Sequence, residues 1–305
     1  MPVDEGGTVA EETLAEVAQE RRRLLALAYR MTGTLADAED VVQETYVRWY
    51  RLDDPERAAV ANPAGWLTRV ASRVALDQLT SARARRERYV GEWLPEPVPA
   101  DLFSGTAPAP PPDPADRVTL DDAVSTALLV VLEAMTPAER VAFVLHDVFA
   151  VPYDEVAAVV GRSVAATRQL ATSARRHVRE QRSTVVVPQD HDTVVRAFVA
   201  AAGRGDLDGL LRALAPDVVL RSDGGGLVSA ARKPVHGADR VLRFLLGIRT
   251  KQPAMVLEEV ATADGLGYRM TVDGRIHGVA AFRVEEGRIV DVWLCVNPEK
   301  LRAWG

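Results

Sequence analysis

The sequence predicts a multidomain protein with two all-α domains, the second built around a helix-turn-helix, followed by an α+β domain. Apolar residues recur at helical spacing as far as about residue 182, and short β-rich runs separated by turn dipeptides begin near Val218. Eight of the 18 prolines fall between residues 92 and 117, where missing amide donors and a fixed φ exclude helix and central strand. The predicted boundaries are 12–91 and 118–182 for the all-α domains, 191–305 for the α+β domain, and 92–117 and 183–190 for the linkers between them.

The composition excludes several classes of protein. The 305 residues carry a net charge of -6, which argues against a protein that coats nucleic acid. The single cysteine, Cys295, excludes a disulfide framework and a cysteine-rich zinc site. No apolar run reaches the roughly 18 residues of a membrane span, and the acidic N-terminus lacks the apolar core of a signal peptide. We therefore expect a cytoplasmic protein that needs no metal, no cofactor and no membrane.

The first domain is predicted to contain three helices. The first has an apolar face from Leu24 to Met31 and ends at Gly33. The second is opened by acidic residues from Asp37 onward, which suit the positive end of the helix dipole. The third is capped by Asn62 and Pro63.

The first linker begins with two large apolar side chains, Trp93 and Leu94, in the sequence WLPEP. A passive linker does not need them, so we expect this piece to dock on a surface.

Charge is distributed unevenly along the helical part of the chain. Residues 36–60 include seven acidic residues and three arginines, whereas residues 61–90 include six arginines and two acidic residues. A second basic block, between 162 and 182, has six arginines against one glutamate. The arginine guanidinium matches phosphate and guanine edges. Two such blocks in two helical domains favour nucleic-acid binding over two solvated helix faces.

The segment 136–179 has the pattern of a helix-turn-helix. Thr136 and Glu139 have the spacing of a capping box. A short helix then starts at Tyr153, Gly161 supplies a left-handed turn, and Ser163 caps the next helix. In the DNA-reading version of this motif the second helix enters the major groove. On the short helix Val156, Ala157 and Val160 are predicted to face inward, and on the second helix Ala166, Leu170 and Ala174 are predicted to lie near the buried side.

Taken together, these motifs resemble the extracytoplasmic-function (ECF) class of bacterial sigma factors, the promoter-specificity subunits of RNA polymerase. DAEDVVQETYVRWYR (37–51) is similar to the family's helix that docks on the β′ clamp helices of core polymerase. The resemblance implies core-polymerase contacts from Asp40, Gln43, Glu44, Val47 and Trp49. The segment 62–88 is similar to the family's promoter-melting and minus-10-reading region, which implies DNA contacts from Arg69, Arg73, Asp77, Arg83, Arg85 and Arg86.

The helix-turn-helix resembles the family's minus-35-reading domain, which also binds the polymerase β flap. The implied DNA contacts are Ser163, Ala165, Arg168, Gln169, Thr172, Arg175 and Arg176. Two positions depart from the family pattern: Arg73 stands where asparagine is common, and Leu170 where a basic residue is common.

The last 115 residues or so resemble the SnoaL-like domains of the nuclear transport factor 2 superfamily. The resemblance implies a curved antiparallel sheet wrapped round helices, a cone with an apolar pocket. The whole chain is similar to the SigJ-like subgroup of the ECF class through WLPEP (93–97), DGGG (223–226) and NPEK (297–300). The residues expected to form an interdomain regulatory contact are Trp93, Leu94, Pro95, Asp223, Gly224, Gly225, Asn297, Pro298 and Lys300.

These features predict a sigma factor, monomeric when free, that binds polymerase core and promoter DNA. Its C-terminal domain is expected to bind the linker and hold the two sigma domains at a spacing that polymerase does not accept. The alternative is a ligand-sensing helix-turn-helix regulator that acts without polymerase core, although the acidic helix 37–51 argues against it. The sequence leaves open whether the cone binds a small apolar ligand.

An enzyme with a DNA-binding arm is a third possibility, because relatives of the cone fold include enzymes. Catalysis would need an Asp or His base in the pocket. The candidates are Asp223, His236, Asp273, His277 and Asp291. Asp223 and Asp273 are better explained as turn residues, and we predict no catalytic residue.

Overall fold

The computed structural model describes residues 20–86, 89–103, 125–181 and 188–305. These residues form two compact units. The first unit takes its described residues from 1–82, 103–120 and 135–175, and the second from 83–102, 121–134 and 176–305. The second unit therefore contains the C-terminal domain together with the start of the predicted linker and one helix that precedes the helix-turn-helix.

Helices make up the first unit and part of the second. In chain order they are α1 (20–32), α2 (Leu35–Arg51), α3 (Asp54–Ala58), α4 (Pro63–Arg86), α5 (Thr126–Glu133), α6 (Pro137–Phe143), α7 (Tyr153–Val160), α8 (Val164–Gln181), α9 (Pro188–Arg204), α10 (Leu207–Ala213) and α11 (Ala238–Lys251). A π-helical turn, Val144–Val148, continues α6. Two short 3₁₀ turns, Pro298–Lys300 and Arg302–Trp304, lie at the C-terminus.

The helices begin and end where side chains satisfy the terminal backbone groups. Thr34 is the N-cap of α2, its hydroxyl accepts the Asp37 N–H at 3.2 Å, and Asp37 lies in the first turn of the helix, as predicted. Asn62 accepts the Gly65 N–H at 2.9 Å at the start of α4, as predicted. Thr136 and the Glu139 carboxylate form the predicted capping box at α6. The predicted helical content of the first unit is confirmed, with its start signals accurate to a few residues.

A six-stranded sheet forms the C-terminal domain. Its strands are β1 (Leu214–Asp223), β2 (Val235–His236), β3 (Val256–Thr262), β4 (Gly265–Val272), β5 (Arg275–Glu285) and β6 (Arg288–Cys295). Their order is β2-β1-β6-β5-β4-β3. The β1–β6 pair is parallel and the other pairs are antiparallel. This arrangement confirms the α+β class of the domain.

Two hairpins of this sheet turn where the sequence predicts. Asp273 and Gly274, and likewise Glu286 and Gly287, all have positive φ, the pattern of type I′ turns that match the twist of antiparallel strands. One face of the sheet packs on α9, α10 and α11 through a large apolar core. Because strand side chains alternate between faces, the opposite face is free for other chain segments, and it carries the site described below.

Candidate polymerase, DNA and linker sites

The polymerase-binding residues predicted on α2 fall into two groups. Asp40, Gln43, Glu44 and Val47 follow one another at i, i+3, i+4 and i+7, so they form one stripe along the helix. Asp40 and Gln43 are exposed, and Glu44 and Val47 are partly buried. Trp49 lies off the stripe, and its ring packs edge-on against Trp66 with 5.2 Å between centroids. The stripe is an acidic and apolar face available to a protein partner.

The predicted minus-10 residues lie on α4. Arg69, Arg73 and Asp77 are exposed and lie at i, i+4 and i+8, along one side of the helix. The side chains of the other three predicted residues, Arg83, Arg85 and Arg86, lie outside the described residues. Arg73 Nη2 donates to the carbonyl oxygen of Ala158 in α7 at 2.9 Å. A residue predicted to contact DNA thus contacts the helix-turn-helix domain in this structure.

A second contact joins the same two helical regions inside the first unit. The buried guanidinium of Arg140 in α6 donates to the Met31 carbonyl at the end of α1, at 2.8 Å. The Arg30 guanidinium lies 5.5 Å from the ring centroid of Phe149, and the ring of Tyr29 packs on Phe103 at 5.1 Å. Contacts between a buried charge and a helix-terminal carbonyl are specific and costly to break. The helices of 20–82 therefore pack directly on those of 135–175.

The helix-turn-helix forms as its sequence predicts. Gly161 has φ 65° and ψ 39°, the left-handed cap of α7. The hydroxyl of Ser163 accepts the Ala166 N–H at 3.2 Å at the start of α8. Val156 and Ala157 are buried in α7 as predicted, Val159 is buried as well, and Val160 is only partly buried.

On α8 the three residues predicted near the buried side lie on it or beside it. Thr167, Ala171 and Ala174 are buried, and Ala166 and Leu170 are partly buried. The buried stripe therefore follows i, i+4 and i+7 from Thr167. Ala174 belongs to this stripe, and Ala166 and Leu170 each lie one residue before a member of it.

Most of the predicted minus-35 residues are exposed on α8 and at its start. They are Ser163, Ala165, Arg168, Gln169, Thr172 and Arg176. Arg175 differs, because its guanidinium donates to Asp147 Oδ1 at 2.5 Å and to the Tyr153 hydroxyl at 3.0 Å. The Asp147 carboxylate is nearly buried, so this ion pair braces α8 against the π-helical turn. Arg175 is therefore held by a nearly buried carboxylate and is only partly exposed, whereas Arg168, 5.5 Å from the Tyr153 ring centroid, and Arg176, 3.8 Å from the Glu180 carboxylate, stay exposed.

Asp223 is the centre of the site in which the linker docks. It ends β1 and is fully buried. One carboxylate oxygen accepts the Tyr89 hydroxyl at 2.6 Å and the Gly225 N–H at 2.9 Å, and the other accepts the Leu94 N–H at 3.0 Å. The bond to Gly225 is the turn role expected from the sequence. The other two bonds join the sheet to chain more than 120 residues away. Leu94 and Asp223 both belong to the set expected to form the interdomain contact, whereas Tyr89 does not.

Lys300 neutralises Asp223 and holds the linker as well. Its ammonium donates to Asp223 Oδ2 at 2.7 Å and to the Leu94 carbonyl at 2.5 Å. The ammonium also lies 4.0 Å from the centroid of the Trp93 ring, a cation–π distance. The two charged side chains are 7% and 0% exposed. A buried ion pair whose remaining hydrogen bonds are satisfied by the linker is stable only while the linker stays docked.

Apolar packing and further hydrogen bonds extend this contact along the linker. Leu94 is buried against Ala281 of β5 and Trp293 of β6. The indole N–H of Trp304 donates to the Pro97 carbonyl at 2.8 Å. Residues 94–98 are all buried, so WLPEP binds as an extended strip rather than at a single point.

The glycine-rich loop after Asp223 packs closely against Asn297 in this site. Gly225 has φ +65°, and a Cβ there would lie 2.6 Å from the Asn297 amide nitrogen. Asn297 in turn donates to the Tyr89 hydroxyl at 3.0 Å. Burial and the Asp223 carboxylate raise the pKa of Tyr89 well above its ordinary value, and the hydrogen bond from Asn297 lowers this pKa by a smaller amount. Only glycine gives this amide room to reach Tyr89. We call Asp223, Asn297, Lys300 and Trp304 the linker-binding site.

The C-terminal domain also binds the start of α5. The carboxylate of Asp264, in the β3–β4 turn, accepts the N–H groups of Thr126 at 3.0 Å and Ala127 at 3.3 Å. These are terminal donors of α5 without partners inside the helix. Burial raises the pKa of Asp264 despite these bonds. Ala127 and Val130 pack beside Leu94 in the same apolar cluster.

Sequence reasoning missed three residues that form these contacts with the linker and α5, namely Tyr89, Asp264 and Trp304. Tyr89 lies before the WLPEP motif and has no periodicity that would single it out. Asp264 lies in a sequence typical of a hairpin turn, so nothing near it in the sequence indicates that it caps α5. Trp304 could have been noticed as an indole close to the NPEK motif. Pro298, which was predicted here, is exposed.

Neither a membrane span nor a metal site is found in the described part of the chain. No helix there combines the length and apolar character needed to cross a bilayer. The same residues contain no cluster of three His, Cys, Asp or Glu side chains able to hold a metal ion.

Comparison with known proteins agrees with the fold and with the order of the motifs. The Sigma-70 region 2 model matches residues 17–85, the Sigma-70 region 4 model matches 125–178, and the SnoaL-like domain model matches 195–292. The chain is 42% identical over 296 residues to the ECF RNA polymerase sigma factor SigJ of Mycobacterium tuberculosis, covering 92% of this chain and 90% of that protein. It is 40% identical over 284 residues to the probable sigma factor SigI of the same species, covering 92% of each.

The crystal structure of M. tuberculosis SigJ superposes on this chain with a TM-score of 0.71 and 37% identity, covering 95% of this chain and 98% of that one. The two sigma regions and the SnoaL-like domain thus follow one another in the predicted order. The match to SigJ extends over nearly the full length of both chains. The chain belongs to the extracytoplasmic-function sigma factors that carry a C-terminal SnoaL-like domain.

Proposed function

We propose that this sigma factor binds RNA polymerase core through the stripe of Asp40, Gln43, Glu44 and Val47 on α2. Promoter DNA is read by the exposed arginine side of α4 and by the exposed side of α8. The exposure of Arg69 and Arg73 on α4 and of Arg168 and Arg176 on α8 supports this assignment, because phosphate and base contacts require accessible guanidinium groups. Within α8, Arg168, Gln169 and Arg176 carry the DNA contact, and Arg175 mainly braces the helix.

The SnoaL-like domain regulates this activity by holding chain that adjoins both sigma regions. The observation that carries the proposal is the buried pairing of Lys300 with Asp223, completed by the backbone of Leu94. The Asp264 cap on α5 is the second attachment, at the first helix of region 4. Polymerase needs the linker and region 4 to be released, so the docked state is inactive. Tethering within one chain makes even moderate contacts effective, because the local concentration is about millimolar.

Contacts within the first unit favour the same inactive state. Arg73 is engaged with the α7 carbonyl of Ala158, and Arg140 with the α1 carbonyl of Met31. A residue that would read the minus-10 element is thereby occupied by region 4. Binding of core polymerase shifts the population toward a released form by its greater affinity for that form.

The SnoaL-like domain acts in regulation and not in catalysis. Of the candidate bases, Asp223 is in the linker-binding site, and Asp291 is paired with Arg221 and Arg283. Asp273 forms a type I′ turn. Neither these residues nor His236 or His277 is among the side chains that line the apolar cavity of the domain.

The test is reconstituted transcription with the full-length protein and its own core polymerase on a library of templates with randomised promoter elements. Leu94→Arg, which forces a charge into the buried linker contact, should increase transcript yield over wild type. Leu227→Arg is the matched control, because Leu227 is 60% exposed in the glycine-rich loop. Equal yields from all three proteins would exclude regulation by the linker contact. Failure of every form to bind core polymerase in a pull-down would instead favour a regulator that works without polymerase.

A further inference from the structure

The SnoaL-like domain contains an apolar cavity of about 300 Å³ between its helices and the sheet. Phe198 of α9, Leu242 of α11 and Leu294 of β6 are among its walls. A volume of about 300 Å³ is at the lower end of the range for small-molecule sites. An apolar cavity of this kind stays dry and accepts apolar ligands. At about 30 Å³ per water-sized group, it has room for a chain of roughly ten heavy atoms.

The charge at the cavity restricts the class of ligand. Among the described side chains that line it, Arg249 is the charged one, and it is exposed at the end of α11. Arg249 has no hydrogen-bond or ion-pair partner within the described part of the chain. The hydroxyl of Tyr268, another lining residue, is turned to Glu259 at 3.4 Å. An apolar chamber with a single cation at its rim suits a molecule with an apolar tail and one anionic group.

A neighbouring cavity of about 490 Å³ has the same sign of charge. Ile248, Met255, Met270 and Leu294 line both cavities, so the two lie side by side. The charged or titratable side chains that line the second cavity are Arg243, Lys251 and His277, with no carboxylate among them. Neither cavity therefore repels an anion by direct contact.

The cavity and the linker lie on opposite faces of the same two strands. In β5, Ala280 and Phe282 line the cavity, and Ala281 between them packs on Leu94. In β6, Val292 and Leu294 line the cavity, while Trp293 between them packs on Leu94. Because successive side chains of a strand point to opposite faces of the sheet, β5 and β6 contact the cavity on one face and the linker on the other.

The ladder extends this connection to Asp223. Leu294, in the cavity wall, pairs with Ser222, and the next pair is Cys295 with Asp223. The backbone N–H of Val296 donates to the Asp223 carbonyl at 2.8 Å. Ordering of β6 by a ligand therefore also orders the residue that accepts the Leu94 N–H.

We propose that this cavity binds a medium-chain monocarboxylate, with the tail inside and the carboxylate at Arg249, and that the bound ligand strengthens linker docking. A ligand that immobilises β5 and β6 lowers the entropy cost of docking the linker on their other face, so the two bindings cooperate. The effect of the ligand on linker docking rests on the regulatory function proposed above. The proposed ligand site itself does not depend on that function.

The binding test is calorimetric titration of the full-length protein with decanoate. Arg249→Ala should weaken decanoate about fivefold, as expected for one exposed ion pair, and decanol should bind the wild type correspondingly more weakly than decanoate does. Arg240→Ala is the matched control, because Arg240 is an exposed arginine of α11 that lines neither cavity. Ala280→Leu, inside the cavity, and Ala202→Trp, at an exposed lining position that core packing does not constrain, should each weaken binding about tenfold or more.

The coupling test is hydrogen exchange of the Leu94 amide with and without saturating decanoate. We expect exchange to slow about fivefold or more, the usual range for coupled sites. Absence of decanoate binding, or binding that both cavity variants leave unchanged, would overturn the site. Binding with unchanged or faster exchange at Leu94 would overturn the coupling. Calorimetry does not depend on transcription, so failure here is distinguishable from failure of the regulatory proposal.

Discussion

Replacement of Lys300 by methionine tests the linker-binding site most directly. The substitution keeps the length and apolar stem of the side chain and removes the ammonium that bonds to Asp223 at 2.7 Å and to the Leu94 carbonyl at 2.5 Å. It leaves a fully buried Asp223 carboxylate without its counter-ion. Breaking such a pair by removing one partner costs about 3–5 kcal/mol.

The lower end of this range applies here. Asp223 keeps three hydrogen bonds in Lys300→Met, from Tyr89, Leu94 and Gly225. Release of the linker lets water reach the carboxylate, so the cost of about 3 kcal/mol favours the released state. Since every 1.4 kcal/mol is about tenfold, we expect the released population to rise on the order of a hundredfold.

The assay is hydrogen exchange followed by mass spectrometry on peptides that contain the Leu94 amide. Lys233→Met, at an exposed loop position, is the matched control and should exchange like wild type. The double variant Asp223→Asn with Lys300→Met should cost less than the sum of the single variants, because the unpaired charge is gone. An acceleration below about threefold in Lys300→Met, or strict additivity in the double variant, would refute the reasoning.

Three further predictions concern other parts of the molecule. Arg176→Ala should weaken promoter binding by the polymerase complex for all sequences and reduce the slope of log affinity against log salt concentration by about one unit. Gln169→Ala should instead change the sequence preference. Equal slopes for Arg176→Ala and wild type in filter-binding titrations would contradict the first expectation. Because burial raises the pKa of Asp264, its contribution to stability is lost as pH rises through that pKa, above the ordinary value of about 4. Asp264→Asn should therefore gain stability relative to wild type toward neutral pH in urea unfolding, and a pH-independent difference would count against it. Burial raises the pKa of Cys295 to about 12, so iodoacetamide at pH 8 should alkylate the native protein about three orders of magnitude more slowly than the urea-unfolded chain.

Much of the fold follows from short-range sequence signals. Thr136 with Glu139 forms the predicted capping box, and Gly161 adopts the predicted left-handed turn. The two I′ hairpins at Asp273 and Glu286 are where the dipeptides indicate. These features depend on a few neighbouring residues, and such local conformational preferences can be read directly from sequence.

Burial faces were predicted less accurately. Val156, Ala157 and Ala174 are buried as predicted, but the sequence did not single out Val159 and Thr167, which are buried as well. Alanine, valine and threonine lie all round these helices, so the apolar pattern does not select one face sharply. The neighbouring helices make that selection.

The sequence by itself determined the domain order, the family, and the two arginine-rich segments that are expected to read DNA. Only the tertiary structure decided that Arg175 pairs with Asp147 and that Asp264 caps α5. It also decided that Asp223 and Lys300, both expected in the interdomain contact, form a buried ion pair that bonds to the Leu94 backbone. Each of these contacts joins residues at least 28 positions apart or depends on a backbone group whose partner is set by packing. The charge of a residue is visible in the sequence, but its burial and its partner are consequences of the folded chain.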